Sequence, residues 1–207
     1  MSRRGKPQAF EGEQVRGEGG MGCFPEGDGR ERIPTREECL ELMNRYGMLE
    51  NIVEHSLKVA EVALLISSAL NRKGQHLNLR LVEAASLLHD ITKTVCLRTK
   101  EDHTQTGYRL LKEIGYERVA EVVAQHVWLE KASDPRLVSE EEVVNYADKR
   151  VRHGEVVSIE ERFEDLKKRY GSSDQALAYL EEMENNILEV ENKIFWILQI
   201  PPEELCL

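Results

Sequence analysis

An all-α fold is the expectation for this chain, on three observations. Apolar residues recur at steps of three and four through most of the sequence beyond residue 33. Capping residues and glycines punctuate those runs at helix-like intervals. No alternating pattern of useful length marks a strand, and no internal repeat is found. At 207 residues the chain suits one domain with a sizeable core and leaves little room for two.

Residues 1–33 hold eight of the fourteen glycines among charges and prolines. Such a stretch buries too little apolar surface to offset its ordering entropy, so a disordered tail is expected. A start site placed too far upstream would give the same composition. The folded domain is expected over 34–171. Thr35 is a candidate N-cap with Glu38 at capping-box spacing, opening a first helix that runs to about Tyr46 and stops at Gly47. A long second helix, about Asn51 to Arg72, carries Ile52, Val59, Val62, Ala63, Ile66 and Leu70 on one face and ends before Gly74. The third starts near Asn78 and runs through Leu81, Ala84, Ala85 and Leu88 to His89 and Asp90, its alanines allowing a neighbour to approach closely.

After a polar connection, His103 opens a fourth helix with Gly107, Leu110, Leu111 and Ile114 on its face and Gly115 at its end. The fifth spans about Tyr116 to Leu129. Asp134-Pro135 signals a turn, after which Ser139 caps a sixth helix. Ser158 caps a seventh, Glu/Arg/Lys-rich and most simply a solvated face, ending at Gly171. The segment 172–207 carries a last helix, about Ser173 to Ile200, stopped by Pro201-Pro202. Its Ala176, Leu180, Met183, Ile187, Val190, Ile194 and Ile197 alternate steps of four and three, the spacing of a coiled-coil seam. Such a stripe either packs on its own domain or forms a homodimer through residues 173–200.

A formal charge of −10 and a pI near 5.2 argue against a general binder of nucleic-acid duplexes, which needs a basic surface to release counterions. No apolar run approaches the ~20 residues of a membrane span. Cys23, Cys39, Cys96 and Cys206 are widely spaced, with no C-x-x-C pair. Neither a zinc ribbon nor a disulfide framework is expected, which together with the lack of a signal-peptide pattern fits a cytoplasmic protein.

The chemistry-bearing residues are the polar side chains on apolar helix faces. His55 lies three residues after Ile52 and four before Val59; His89 shares a face with Ala85; His126 follows Val119, Val122 and Val123; Asp148 sits between Val144 and Val151. With Asp90 and His103 they include four of the six histidines. Any one of them alone fits a satisfied core histidine or a helix cap. As a set they are costly to bury unless a cation compensates their desolvation, so they are candidate metal ligands. His76, in a loop, has no partner in the pattern.

An isolated His, an adjacent His89-Asp90 and a distant Asp148 within Asn145-Tyr146-Ala147-Asp148-Lys149 resemble the HD superfamily of metal-dependent phosphohydrolases. The likeness covers about Asn51 to Tyr170, and within the superfamily it is nearest to small single-domain members, including the symmetrical diadenosine tetraphosphate hydrolases. It implies that His55, His89, Asp90 and Asp148 hold one divalent metal and that His103 and His126 hold a second, with Asp90 bridging. Mixed nitrogen and oxygen ligands with open positions favour Fe or Mn, with Mg, Co, Ni or Zn also compatible. The glycine-tyrosine-proline segment of the cyclic di-GMP phosphodiesterases is missing, which disfavours that activity.

Two cations ~3.5–4 Å apart would clamp a phosphoryl group and activate a water, so phosphoester or phosphoanhydride hydrolysis by a metal-bound hydroxide is the implied reaction. Asp90 and Lys93 are the residues expected at the chemistry; Lys93 is otherwise a solvated lysine past a helix end. Lys58, Arg150, Arg152 and His153 are candidates for substrate phosphate, against ordinary surface charge. Trp128 offers a ring for a nucleobase or a plain core contact. The expected substrate is a small nucleotide-like phosphate compound, a diadenosine polyphosphate or a nucleoside monophosphate. A mononuclear enzyme, in which His103 and His126 only orient substrate, and a non-catalytic metal- or nucleotide-sensing module that regulates a partner are the alternatives.

Overall fold

The computed structural model describes residues 32–130 and 134–205. The tail expected over 1–33 lies outside them except for Arg32 and Ile33. Among the described residues the architecture is nine α-helices with one two-stranded hairpin, the all-α class read from the periodicity.

Helix α1, Arg36–Arg45, opens on the Thr35/Glu38 capping box. Helix α2, Glu50–Arg72, is the axis of the bundle, with Val59, Ala60, Val62, Ala63, Ile66 and Leu70 buried along it. Against it pack α3, Leu79–Leu88, and α7, Glu140–Lys149. Helices α5, His103–Glu113, and α6, Glu117–Ala124, form an antiparallel pair closed through Gly115, whose φ of +86° suits a residue without a Cβ. Helix α8, Ile159–Tyr170, packs on α9, Asp174–Leu198. The seam residues Leu180, Met183, Ile187, Val190 and Ile194 are buried, and α9 lies against α8, α7 and α2 of its own chain. The opposite face of α9 leaves Tyr179 and Trp196 exposed.

Three local features differ from the sequence expectation. The connection after Asp90 contains a short helix, α4, Lys93–Thr99, ended by Lys100 at φ +64°. It buries only Cys96, so no apolar stripe announced it. Helix α6 stops at Ala124 instead of Leu129; the chain turns at Gln125, so His126 is presented from a bend beyond the helix. Past α7, strands β1, Val151–Arg152, and β2, Glu155–Val156, pair antiparallel. Both turn residues, His153 and Gly154, have positive φ, the conformation a two-residue hairpin loop demands. Two-residue strands are too short to show alternation. No helix among the described residues is long and apolar enough to cross a membrane.

Candidate metal centre

Each element end delivers one ligand to the same interior point. His55 comes from the second turn of α2, His89 caps the C-terminus of α3 and Asp90 follows it. His103 is the first residue of α5, His126 lies in the bend after α6, and Asp148 sits in the last turn of α7. They form two triads, His55/His89/Asp148 and Asp90/His103/His126, with ligating atoms within 4.8 Å of one another in each.

Asp90 spans both triads. Its Oδ1 lies 3.3 Å from His103 Nε2 and 3.6 Å from His126 Nε2, and its Oδ2 lies 3.4 Å from His89 Nε2. Asp148 Oδ1 lies 2.9 Å from His55 Nε2 and 3.6 Å from His89 Nε2. All six candidate ligands from the sequence are therefore brought together, with Asp90 lying between the two groups.

The imidazoles are oriented from behind. His89 Nδ1 donates to the Ser86 carbonyl at 2.8 Å and His126 Nδ1 to the Val123 carbonyl at 2.6 Å, which turns each Nε2 toward the centre. Two buried atoms at that centre, His89 Nε2 and Asp90 Oδ1, have no hydrogen-bond partner. Orphaned groups of this kind are expensive to bury. A nitrogen and a carboxylate oxygen are both first-row metal donors, and the free thiols Cys39 and Cys96 lie outside both triads. The residues present thus fit divalent cations with mixed N/O coordination.

Their electrostatics say what a cation would replace. Burial opposes protonation of His89, but the charges of Asp90 and Asp148 outweigh it and raise its pKa to about 10. Burial likewise opposes ionisation of Asp90, which the His89 charge, the close approach of the His126 and His89 ring nitrogens, and the Lys93 charge nevertheless hold well below the usual carboxylate range. Burial pushes His103 down to about 4 and lowers His126 as well. The metal-free protein therefore holds a proton on His89 where the two carboxylates demand positive charge. A binding cation must displace it, so affinity for a divalent ion should rise about tenfold per pH unit between pH 7 and 9. Competition with a chelator of known affinity measures this, and a flat profile would mean that His89 is already neutral.

Helix α7 also fixes the His126 bend. Asn145 Nδ2 donates to the carbonyls of Gln125 at 2.8 Å and His126 at 3.0 Å, and Lys149 Nζ donates to the His126 carbonyl at 3.0 Å. Lys149 Nζ also holds Asp148 Oδ2 at 2.6 Å, leaving Oδ1 to face His55 and His89. Both residues were missed as site residues in the sequence; their i, i+4 spacing on the face beside Asp148 was the available signal. Asn145→Ala strands the Gln125 carbonyl and should cost about 1–3 kcal/mol in a denaturant titration. Unchanged stability would show that the bend holds without it.

A cleft of about 270 Å³ reaches the centre at His55 and Asp90. Lys93 lines it and donates to Asp90 Oδ2 at 2.6 Å from a partly exposed position. Of the residues suggested for substrate phosphate, His153 lines this cleft and the other three do not. Lys58 ion-pairs with Glu61 at 2.6 Å and borders a separate hollow with Leu57, Leu64 and Gly154. Arg150 is buried, donating to the Val157 carbonyl and the Tyr146 hydroxyl, each at 2.6 Å, so its guanidinium is a structural tie. Arg152 pairs through its backbone with Glu155 in the hairpin and does not line the cleft. Trp128 stacks on Tyr179, ring centroids 5.4 Å apart, in a larger groove that shares no lining residue with the cleft and contains neither triad. In place of these, Arg162 and Arg169 of α8 line the cleft.

Fold and site together define an α-helical bundle with a buried histidine–aspartate cluster that could hold metal ions at the end of a cleft. Residues 52–162 match the HD domain model, and the chain belongs to that family, the metal-dependent phosphohydrolases that its His-Asp pattern resembles. It is 29% identical over 157 residues to an uncharacterized protein of Methanocaldococcus jannaschii, covering 68% of this chain and 91% of that one. It is 29% identical over 123 residues to the tRNA (cytidine(56)-2'-O)-methyltransferase of Thermoplasma volcanium and 34% identical over 100 residues to Ribonuclease Y of Dehalococcoides mccartyi. The matches cover 57% and 44% of this chain but only 34% and 17% of those two proteins. No solved structure matches.

Proposed function

We propose that the protein is a phosphohydrolase that binds two divalent cations, one in each triad with Asp90 shared, and cleaves a phosphoester or phosphoanhydride bond of a small nucleotide-like compound. The observation that carries this is the pair of orphaned atoms, His89 Nε2 and Asp90 Oδ1, at the buried end of a cleft whose rim bears Lys93. Bound cations would supply Lewis acidity and lower the pKa of a water held between them.

The chain's own residues do the rest. Asp90 presents one oxygen to His103 and His126 and the other to His89 and Lys93, so a single rigid carboxylate sets the spacing of both triads. Lys93 Nζ keeps its proton, because the Asp90 charge outweighs the effect of burial, and can donate to a phosphoryl oxygen as negative charge develops there. Burial of His89, His126 and Asp90 lowers the effective dielectric at the inner end of the cleft, which strengthens each of these contacts.

A diadenosine polyphosphate or a nucleoside monophosphate is the substrate expected first, since the modest cleft suits a small ligand. The likeness to Ribonuclease Y favours a second reading in which the phosphate belongs to RNA, against which the charge of −10 weighs. Anaerobically prepared protein with added Mn, presented with both small nucleotides and single-stranded RNA, tests the two. Inorganic phosphate from the monophosphate, or nucleoside phosphates from the diadenosine polyphosphate, supports the first, and RNA fragments without either support the second. Tight nucleotide binding with no turnover of either would replace both with a sensor.

A further inference from the structure

One wall of the cleft carries positive charge that the metal centre does not use. Arg162, Leu166 and Arg169 fall at steps of four and three, so one stripe of α8 lines the cleft, and His153 of the hairpin tip lines it with them. The two guanidinium groups share one carboxylate: Asp165 lies 3.6 Å from Arg162 and 2.9 Å from Arg169. One Asp against two Arg leaves a net charge of +1 on this wall, while the Lys93 charge beside it, which Arg162 repels, is paired with Asp90. Glu54 on the rim is exposed, where solvent screens it.

Arg162 is also incompletely satisfied. Its Nε is buried without an acceptor among the described residues, so the fold has desolvated the guanidinium without pairing all of it. The arrangement at Arg169 is held under backbone strain. His153 takes φ +51° in a turn position that asparagine or glycine adopts more readily, and its Nε2 accepts from Arg169 Nη2 at 2.6 Å. An imidazole acceptor there orients the guanidinium while adding no negative charge.

We propose that Arg162 and Arg169, with His153 as a positioning residue, form a second anion subsite, and that the substrate is a phosphate compound carrying a further phosphate or a phosphate chain beyond the scissile group. This rests on the phosphohydrolase reading above. The scissile phosphate sits at His55, Asp90 and Lys93, and the second anion at the α8 arginines in the same cleft. Guanidinium forks match phosphate geometry, and holding a remote anion aligns the reacting bond.

The test uses full-length, Mn-loaded protein and measures the binding of inorganic phosphate and pyrophosphate by calorimetry, with turnover of a nucleoside 5′-monophosphate and the matching 3′,5′-bisphosphate. Arg162→Gln combined with Arg169→Gln should weaken pyrophosphate binding about tenfold or more beyond any loss for phosphate, and should lower kcat/KM for the bisphosphate by the same margin over the monophosphate. Lysine at both positions should restore part of the difference, which a purely structural role would not show. Equal losses for both ligands, with no recovery by lysine, would overturn the subsite. If no nucleotide turns over while the pyrophosphate difference persists, the hydrolase reading fails and the subsite stands; turnover with equal losses removes the subsite alone.

Discussion

Asp90→Ala is expected to reduce hydrolysis by at least about 10³-fold, beyond the ~10²–10³ lost when a single preorganised donor is removed. The reason is that one carboxylate serves both triads. Oδ1 faces His103 and His126, while Oδ2 faces His89 and is held by Lys93. Alanine removes the carboxylate shared by the two triads, releases Lys93 from the ion pair it makes and leaves His89 with Asp148 as its remaining carboxylate among the described residues. Metal content should therefore fall together with activity. Elemental analysis of the purified variant, beside a circular-dichroism check that the helices persist, measures the first quantity. Full activity with an unchanged metal complement would remove Asp90 from the centre and the two-cation proposal with it. One ion per chain in the wild type would instead leave His103 and His126 as substrate-orienting groups.

The convergent histidines and aspartates were legible as candidates because they interrupt helical periodicity. His55 and Asp148 occupy positions where a helix of period 3.6 buries its side chains, so their inward direction followed from spacing alone. Convergence of the two triads did not follow from spacing. It came from the superfamily resemblance, since nothing in a linear pattern fixes how α2, α3, α5 and α7 meet. The cationic wall was illegible for the opposite reason. On a helix as charged as α8, Arg162 and Arg169 look like partners for neighbouring acids, and both do touch Asp165. Only the packing of α8 beside the hairpin reveals that the same stripe lines a cleft. Arg150 misled in the reverse sense, because proximity in sequence to Asp148 is not proximity in space: one step past a helix end sent it to Tyr146 and Val157.

Lys149→Met should cost about 3–5 kcal/mol of stability in the presence of a chelator. Lys149 and Asp148 are neighbours whose side chains are only 5% and 9% exposed, joined at 2.6 Å, and the lysine also satisfies the His126 carbonyl. Methionine has a similar length but neither charge nor donor, so it leaves a buried carboxylate facing an apolar thioether. Burial disfavours the Asp148 charge, and Lys149, with His55 and His89, is what overcomes it and holds the pKa well below 3.8. A depressed carboxylate contributes stability that is present above its unfolded pKa and is lost as pH falls through the folded value. With Lys149 gone the depression shrinks, so the variant's deficit should be full at pH 7 and should narrow only below pH 3.8, as Asp148 protonates first in the variant and then in the wild type. Urea titrations of the two proteins at pH 7 and in steps below pH 3.8 measure this. A deficit independent of pH would assign the loss to side-chain packing and the His126 carbonyl, and would mean that Asp148 is held in place by its histidines alone.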